Sequence, residues 1–405
     1  MNPPTPMSPL AITAHTLVTA LGHGLADHAQ ALRDGRSGLK PQVFETAPLD
    51  TWLGVAPDLD DAALGSAFSR GQSGADCRNN RLAEATLRAD GFAERVRAAA
   101  GRWGAHRVGV FLGTSTSGIL ASEIAYRQRD AASGALPAGL DYAATHNTYS
   151  VARHVRQSLG LTGPAAVVST ACSSSAKVYG NAARMIAAGV IDAAVVGGVD
   201  SLCMTTLYGF KSLELLSPEV CRPYDAGRNG LSLGEGGALA LLEREPDGPP
   251  AGWLLGIGES SDGHHMSSPH PEGAGAAAAM RAALASAGLG ADAVDYLNLH
   301  GTATPGNDAA EDRAVMSVFG ARVRCSSTKG HTGHTLGAAG GVEASLCLLA
   351  LRDGWLPGGL HRREPDPALH AHYVDSGHPA ALRVVASNSF GFGGSNACLV
   401  FGGVA

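Results

Sequence analysis

Short apolar runs alternate with alanine-rich amphipathic stretches along most of the chain, the pattern of an α/β protein whose strands are buried on both faces. The spacing predicts strands over 107–113, 165–170, 193–199, 238–243, 253–258, 295–300, 323–326, 382–387 and 397–402. It predicts helices over 150–159, 173–188 and 273–287, each followed by a glycine (Gly160, Gly189, Gly288) suited to the left-handed conformation that closes a helix. One succession of elements occurs twice. RVGVFL runs into Gly113-Thr114-Ser115-Thr116, and DYLNLH runs into Gly301-Thr302-Ala303-Thr304; in both places a strand, a Ser/Thr-rich turn and a small-residue helix follow. An internal duplication accounts for this, with a boundary near the proline-rich 246–250 and halves of 1–250 and 251–405. The period is too long for a solenoid.

Composition narrows the class. Of 405 residues, 45% are hydrophobic and 16% charged, which excludes a disordered or fibrous chain. Thirty basic against 36 acidic residues leave a net charge of −6 and no basic excess for phosphates, so nucleic acid is not an expected partner. Seven cysteines without a CxxC pair argue against a zinc site or a disulfide scaffold and for a reducing compartment. The N-terminus lacks a basic region followed by a sustained apolar stretch, and no run approaches the roughly 18 apolar residues of a membrane span. The chain reads as soluble and cytoplasmic, with no membrane partner.

Candidate chemistry gathers at a few turns. Cys172 lies in VVSTACSSSAKVYG, where an apolar strand gives way at once to a helix. A free cysteine is most often just a small buried residue. The strand–turn–helix context resembles a nucleophile elbow instead, and a helix N-terminus should favour the thiolate and lower its pKa. Two histidines at similar strand ends, His300 in NLHGTATPGND and His334 in KGHTGHTLGAAGG, are candidate basic partners. Lys329 precedes His334, and Asp308, Glu311 and Glu343 lie near enough in sequence to hold imidazoles in one tautomer. The Gly-rich stretch 387–397, between two strands, suits an oxyanion donor or an aromatic gate. His264, His265 and His270 sit in a polar segment without cysteines or paired carboxylates at ligand spacing, so no metal is expected. Gly234-Glu235-Gly236-Gly237 lacks the strand–GxGxxG–helix setting of a dinucleotide site.

Taken together, STACSSS, HGTATPGND, STKGHTGHTLGAAGG and NSFGFGGSNA resemble the Cys–His–His set of the β-ketoacyl-acyl-carrier-protein synthases, in order and spacing, from about Pro9 to the C-terminus. The likeness is to elongating condensing enzymes of type II fatty-acid and polyketide systems; initiating synthases use Cys–His–Asn. It implies a thiolase-like α/β fold, internally duplicated in five α-β-α-β-α layers. The implied reaction is a decarboxylative Claisen condensation of malonyl-carrier with an acyl chain on Cys172, with His300 and His334 promoting decarboxylation and Lys329 orienting His334. Glu343, Asp308, Glu311 and Asn396 would form the supporting network. The N–H groups of Cys172 and Phe392 would make the oxyanion hole, with Phe392 also the gate. Thr302 and Thr304 would hold the carrier's phosphopantetheine arm, while Phe210 and Thr116 would line the acyl pocket, Thr116 making it more polar and favouring a specialised, polyene-like product.

No cofactor is implied beyond that arm. The implied partners are an acyl carrier protein and a second ketosynthase-like subunit, identical or related, paired through an edge strand for which 193–199 is suited. Basic residues for carrier docking look thinned in 78–87 and around Glu214. Two alternatives differ in mechanism. A chain-length-factor-like partner would lack the nucleophile, and a cysteine acyl hydrolase would need only one histidine.

Overall fold

A computed structural model describes residues 6–41, 44–46, 48–68 and 73–404. One twisted sheet runs through the molecule. Its main strands are β1 (Leu10–Thr19), β2 (Val108–Gly113), β3 (Ala165–Val168), β4 (Ala193–Asp200), β5 (Gly236–Glu243), β6 (Gly252–Ser261), β7 (Tyr296–Asn298), β8 (Arg324–Ser326), β9 (His372–Tyr373), β10 (Val384–Gly391) and β11 (Ser395–Gly402). They lie in the order β9-β8-β7-β10-β11-β6-β1-β5-β4-β2-β3.

Strand order and direction repeat. In the first half β2 is parallel to β3 and β4, β4 is antiparallel to β5, and β5 is antiparallel to β1. In the second, β7 is parallel to β8 and β10, β10 is antiparallel to β11, and β11 is antiparallel to β6. The two units join where β1 pairs with β6, at Leu10–Leu254, Ala11–Trp253 and Ile12–Gly252.

The helices that matter here are α1 (Arg78–Arg88), α2 (Tyr149–Ser158), α3 (Ser174–Ala187), α4 (Met204–Ser212), α5 (Ala274–Ala287), α6 (Pro305–Phe319) and α7 (Ala339–Asp353). Helices α3 and α7 pack side by side between the two units, touching β2, β4 and β5 on one side and β10 and β11 on the other. Outside them, α1 and α2 cover the first unit, and α5 and α6 cover the second. The result is five layers. A helix buried on every side needs no polar face, and α7 is accordingly buried from Ala339 through Leu351. Gly340 is where the two central helices cross: a Cβ there would lie 2.7 Å from the Ala176 nitrogen and Cβ.

Three expectations need correction. The run 193–199 is not an edge: β4 is paired on both sides and wholly buried. The free edge is the shorter β3, whose Ala166 is exposed. The stretch 387–397 is not a long loop, because β10 continues to Gly391 and β11 starts at Ser395, leaving Phe392, Gly393 and Gly394 as the turn. Gly393 and Gly394 have φ of 80° and 74°, which such a tight connection requires. Third, β1 lies at the centre of the sheet, although the sequence pattern assigns no strand there.

Candidate active site

Strand β3 ends at Val168 and α3 begins at Ser174, so the chain reverses within five residues. Ala171 takes φ of 52°, a strained value for a residue with a Cβ, and this lifts Cys172 to the head of the helix. The serines that follow fix the elbow. Ser174 Oγ accepts from Thr170 N–H (2.9 Å) and donates to Ala171 O (2.5 Å), while Ser175 Oγ accepts from Gly341 N–H (2.9 Å) and so ties the elbow to α7.

Two loops from the second half close over this point. Cys172, His300 and His334 each present a donor atom within 4.8 Å of the others, all buried. The imidazole rings meet edge to face, centroids 5.3 Å apart at 86°. His334 is set by its backbone, with its N–H donating to Ser232 O (2.8 Å) and its carbonyl accepting from Gly234 N–H (3.0 Å). Its Nδ1 is buried without a partner among the described residues. Lys329 Nζ, also buried, donates to the carbonyl of His300 and to Glu343, and lies 3.4 Å from His300 Nδ1. Lys329 therefore meets His300, whereas the resemblance implied that it orients His334, to which no hydrogen bond joins it among the described residues.

The carboxylates also act differently from expectation. None is bonded to an imidazole nitrogen. Glu311 accepts from the backbone N–H of His300 (2.8 Å) and Gly301 (2.7 Å) and from Asn388 Nδ2 (3.0 Å). Asp308 accepts from the N–H of Tyr224 (3.0 Å) and Ala303 (3.2 Å). Both hold the shape of the loop rather than a tautomer. Glu343 meets Lys329 alone, and Asn396 donates to Asp262 Oδ1 (2.8 Å), away from the lysine.

A cavity of about 440 Å³ opens above the three residues and is lined by Cys172, His300, His334, Phe210, Phe392, Thr302 and Thr304 among others. Phe210, on α4, faces Phe392 across it with ring centroids 5.5 Å apart. Thr302 and Thr304 share a hydrogen bond of 2.9 Å on its wall. Thr116 is not part of this lining. Its hydroxyl and N–H both donate to Asp200 Oδ1 at 2.8 Å, so it is a buried, satisfied group and not a polar spot in an acyl tunnel. Arg78 is likewise committed, to the buried Glu235, and is not free to receive a carrier.

Two features were missed in the sequence. Asp200, at the end of β4, accepts from Thr114 Oγ1 (2.6 Å), Ser115 N–H (2.8 Å) and Gly337 N–H (2.6 Å), clamping the first half's Gly-Thr turn to the start of the central helix region. The signal was there: a carboxylate ending a wholly apolar run needs buried donors. The other is the segment around Asp262, Ser267 and Pro269, set aside as a polar connection, which forms one side of the cavity mouth.

The electrostatics also correct an expectation. Burial pushes the Cys172 thiol up, to about 12, against the pull of the Lys329 cation, where the helix N-terminus alone was expected to lower it. Burial, then Lys329, drives both imidazoles well below their usual value. Burial also raises the carboxyls of Glu311 and Glu343, to about 7, and that of Asp308. At neutral pH the site holds a neutral thiol beside two neutral imidazoles, so the thiol proton has a nearby acceptor. The backbone N–H of Phe392 favours the Cys172 thiolate, the smallest of the influences on it. The same three atoms are spaced closely enough to ligate a metal, but the neighbouring Lys329 charge opposes a cation and fits thiol chemistry.

Comparison with known proteins decides the family. Profiles of the β-ketoacyl synthase N-terminal and C-terminal domains match residues 80–248 and 251–363. This chain belongs to the β-ketoacyl synthases. It is 37% identical over 305 residues to nodulation protein E of Rhizobium meliloti, covering 73% of this chain and 75% of that one. It is 33% identical to 3-oxoacyl-[acyl-carrier-protein] synthase 2 of Coxiella burnetii, covering 96% and 97%. A ketosynthase from Xenorhabdus doucetiae, solved in complex with its chain length factor, superposes with a TM-score of 0.86 at 38% identity over 98% of each chain. The synthase is thus an acyltransferase of the condensing type with the thiolase-like fold, a β-ketoacyl-acyl-carrier-protein synthase.

Its resting thiol makes a measurable difference. Alkylation of Cys172 by iodoacetamide, followed by peptide mass, is expected to speed up about tenfold per pH unit between pH 7 and 9 with no plateau, because the thiolate fraction is still rising. A plateau beginning near pH 7 would reveal a resting thiolate and contradict the burial argument.

Proposed function

We propose that the synthase elongates acyl chains by a ping-pong condensation at Cys172. What supports this reading is the convergence of Cys172, His300 and His334 at the floor of a cavity walled by Thr302 and Thr304. In the first stage the Cys172 sulfur attacks the thioester of an acyl-carrier, and the thiol proton passes through a neutral imidazole to the departing carrier thiolate. The N–H groups of Cys172 and Phe392 stabilise the oxyanion. In the second, malonyl-carrier binds with its arm along Thr302 and Thr304. Its carboxylate leaves as CO2, and the electron pair of the broken bond forms an enolate whose oxygen is stabilised by His300 and His334. The enolate carbon attacks the acyl-enzyme, and the tetrahedral intermediate expels the Cys172 thiolate, which takes up one proton from solvent by way of an imidazole. The products are 3-oxoacyl-carrier and CO2.

Lys329, with Glu343, positions His300, and Asp308 and Glu311 shape the loop that carries it. Phe392 serves as the gate against Phe210, and Asn396 steadies the facing segment through Asp262. The chemistry draws on protein groups and the carrier's arm alone. The halves 1–250 and 251–405 act as diverged copies, one bringing the nucleophile and the other both histidines. With Thr116 removed from the pocket, the inclination towards a specialised product rests on likeness to the ketosynthase solved with a chain length factor. The second subunit, a further copy of this chain or a related ketosynthase-like chain, docks on the β3 edge. Seven buried free cysteines suit the cytoplasm. No helix among the described residues is long and apolar enough to cross a membrane. The nucleophile itself weighs against a non-catalytic partner role, and the second histidine against a hydrolase.

Cys172→Ala is expected to abolish the mass gain of one acyl group when the protein is incubated with acyl-carrier. His300→Ala and His334→Ala are expected to keep some acylation but lose CO2 release from malonyl-carrier; undiminished release in both would contradict the assignment. For assembly, light scattering at micromolar concentration is expected to show a dimer, alone or with a co-expressed related subunit, that Ala166→Arg disrupts at the β3 edge. An active wild-type monomer would refute it.

A further inference from the structure

Among the described residues lining the catalytic cavity, Arg313 is the only arginine or lysine. It stands on α6, whose first residues form the wall beyond Thr304. Pro305, Gly306, Ala309 and Arg313 share one face of this helix and all reach the cavity, whereas Asp308, Glu311 and Asp312 point into the protein and are buried. The residues between Thr304 and Arg313 on that face are small, and a Cβ at Gly306 would meet nothing within 4 Å. They leave an open track along α6 that rises about 13 Å, at 1.5 Å per residue, from Thr304 to the backbone of Arg313.

At its outer end Arg313 reaches across the mouth. Its Nη1 donates to Pro271 O at 2.5 Å, and Glu272 lies 3.9 Å away as a solvent-exposed, weak partner. The other guanidinium donors have no partner among the described residues. Ser267 and Ser268 face the cavity from the same segment as Pro271. The cavity is therefore neutral at its floor and carries two charged side chains at its mouth, the Arg313 guanidinium and, on the facing segment, Asp262, whose carboxylate is already taken up by Asn396 Nδ2 and His270 N–H.

A phosphopantetheine arm has the matching polarity. It is neutral from the thioester through both amides and carries its only charge on the phosphate at the end attached to the carrier. Resting on the function proposed above, we infer that Arg313 is the phosphate-binding residue for that arm. Thr302 and Thr304 meet the amide region, the small-residue face of α6 lets the chain lie flat, and the guanidinium fork takes the phosphate oxygens. In a protein of net charge −6, this local cation supplies what the overall field does not.

The test compares two small thioesters that differ only in the phosphate, acyl-phosphopantetheine and acyl-pantetheine, by the rate at which each acylates Cys172 in the full chain. Wild type is expected to favour the phosphorylated thioester about tenfold in kcat/KM. Arg313→Ala is expected to remove that preference by slowing only the phosphorylated one, with Arg313→Lys keeping part of it and Glu272→Gln keeping or increasing it. Arg313 is 53% exposed, so the variants should fold, and unchanged acyl-pantetheine rates verify this. Equal losses on both thioesters, or a preference that survives Arg313→Ala, would overturn the inference. Failure of wild type to accept an acyl group from either thioester or from acyl-carrier would instead overturn the function on which it rests.

Discussion

Lys329 carries a charge into the interior of the protein, and much of the site's order follows from how that charge is met. Its ammonium bonds to Glu343, the one charged residue in the buried stretch Ala339–Leu351 of helix α7, and to the backbone carbonyl of His300. Burying such a pair rarely stabilises a fold, since two desolvation costs offset the attraction; apolar residues of similar volume often do as well or better. The pair is better understood as positioning. It fastens the His300 loop to the central helix that also receives the Cys172 elbow through Ser175 and Gly341. The same cation lowers the basicity of both imidazoles and eases, without cancelling, the penalty on the buried thiol.

The duplicated topology makes this possible. Each half sends its second strand into a Gly-Thr turn, and each turn is held by a buried carboxylate that accepts backbone N–H groups: Asp200 for Ser115 and Thr116, Glu311 for His300 and Gly301. The supporting carboxylates come from different elements, a strand end and a helix interior, so the two turns have diverged in bracing while keeping their shape. Sandwiching α3 and α7 between the two units then brings one half's nucleophile to the other half's histidines. Neither half alone contains a complete site.

Much of this was legible in the chain. Strands read from continuous apolar runs were found where expected, because strands buried on both faces leave that signature. The glycines closing three helices are left-handed, with φ of 67°, 69° and 65° at Gly160, Gly189 and Gly288. Strand β1 escaped notice because Thr13, Ala14, His15 and Thr16 interrupt its apolar run, although its Ile, Val and Thr residues favour a strand; its burial comes from its position between the units, deep enough to push the His15 imidazole down to about 3. What pattern could not supply was pairing in space. It placed Lys329 beside the histidine nearer in sequence, read a hydroxyl at Thr116 as pocket lining, and took the most apolar strand for an edge, when full burial on both faces and both flanks explains that run better.

If the Lys329–Glu343 pair exists for chemistry and not for stability, replacing both members with apolar residues should separate the two. The decisive measurement is CO2 release from malonyl-carrier by Lys329→Met/Glu343→Leu, beside its thermal unfolding and that of Glu343→Leu alone. The single variant should lose about 3–5 kcal/mol, because a buried charge is left unmatched. The double variant should recover most of that stability while decarboxylation falls about a hundredfold, roughly 2.7 kcal/mol of transition-state stabilisation. A double variant that folds stably and still releases CO2 at the wild-type rate would show that His300 does not depend on the pair, and would contradict the account.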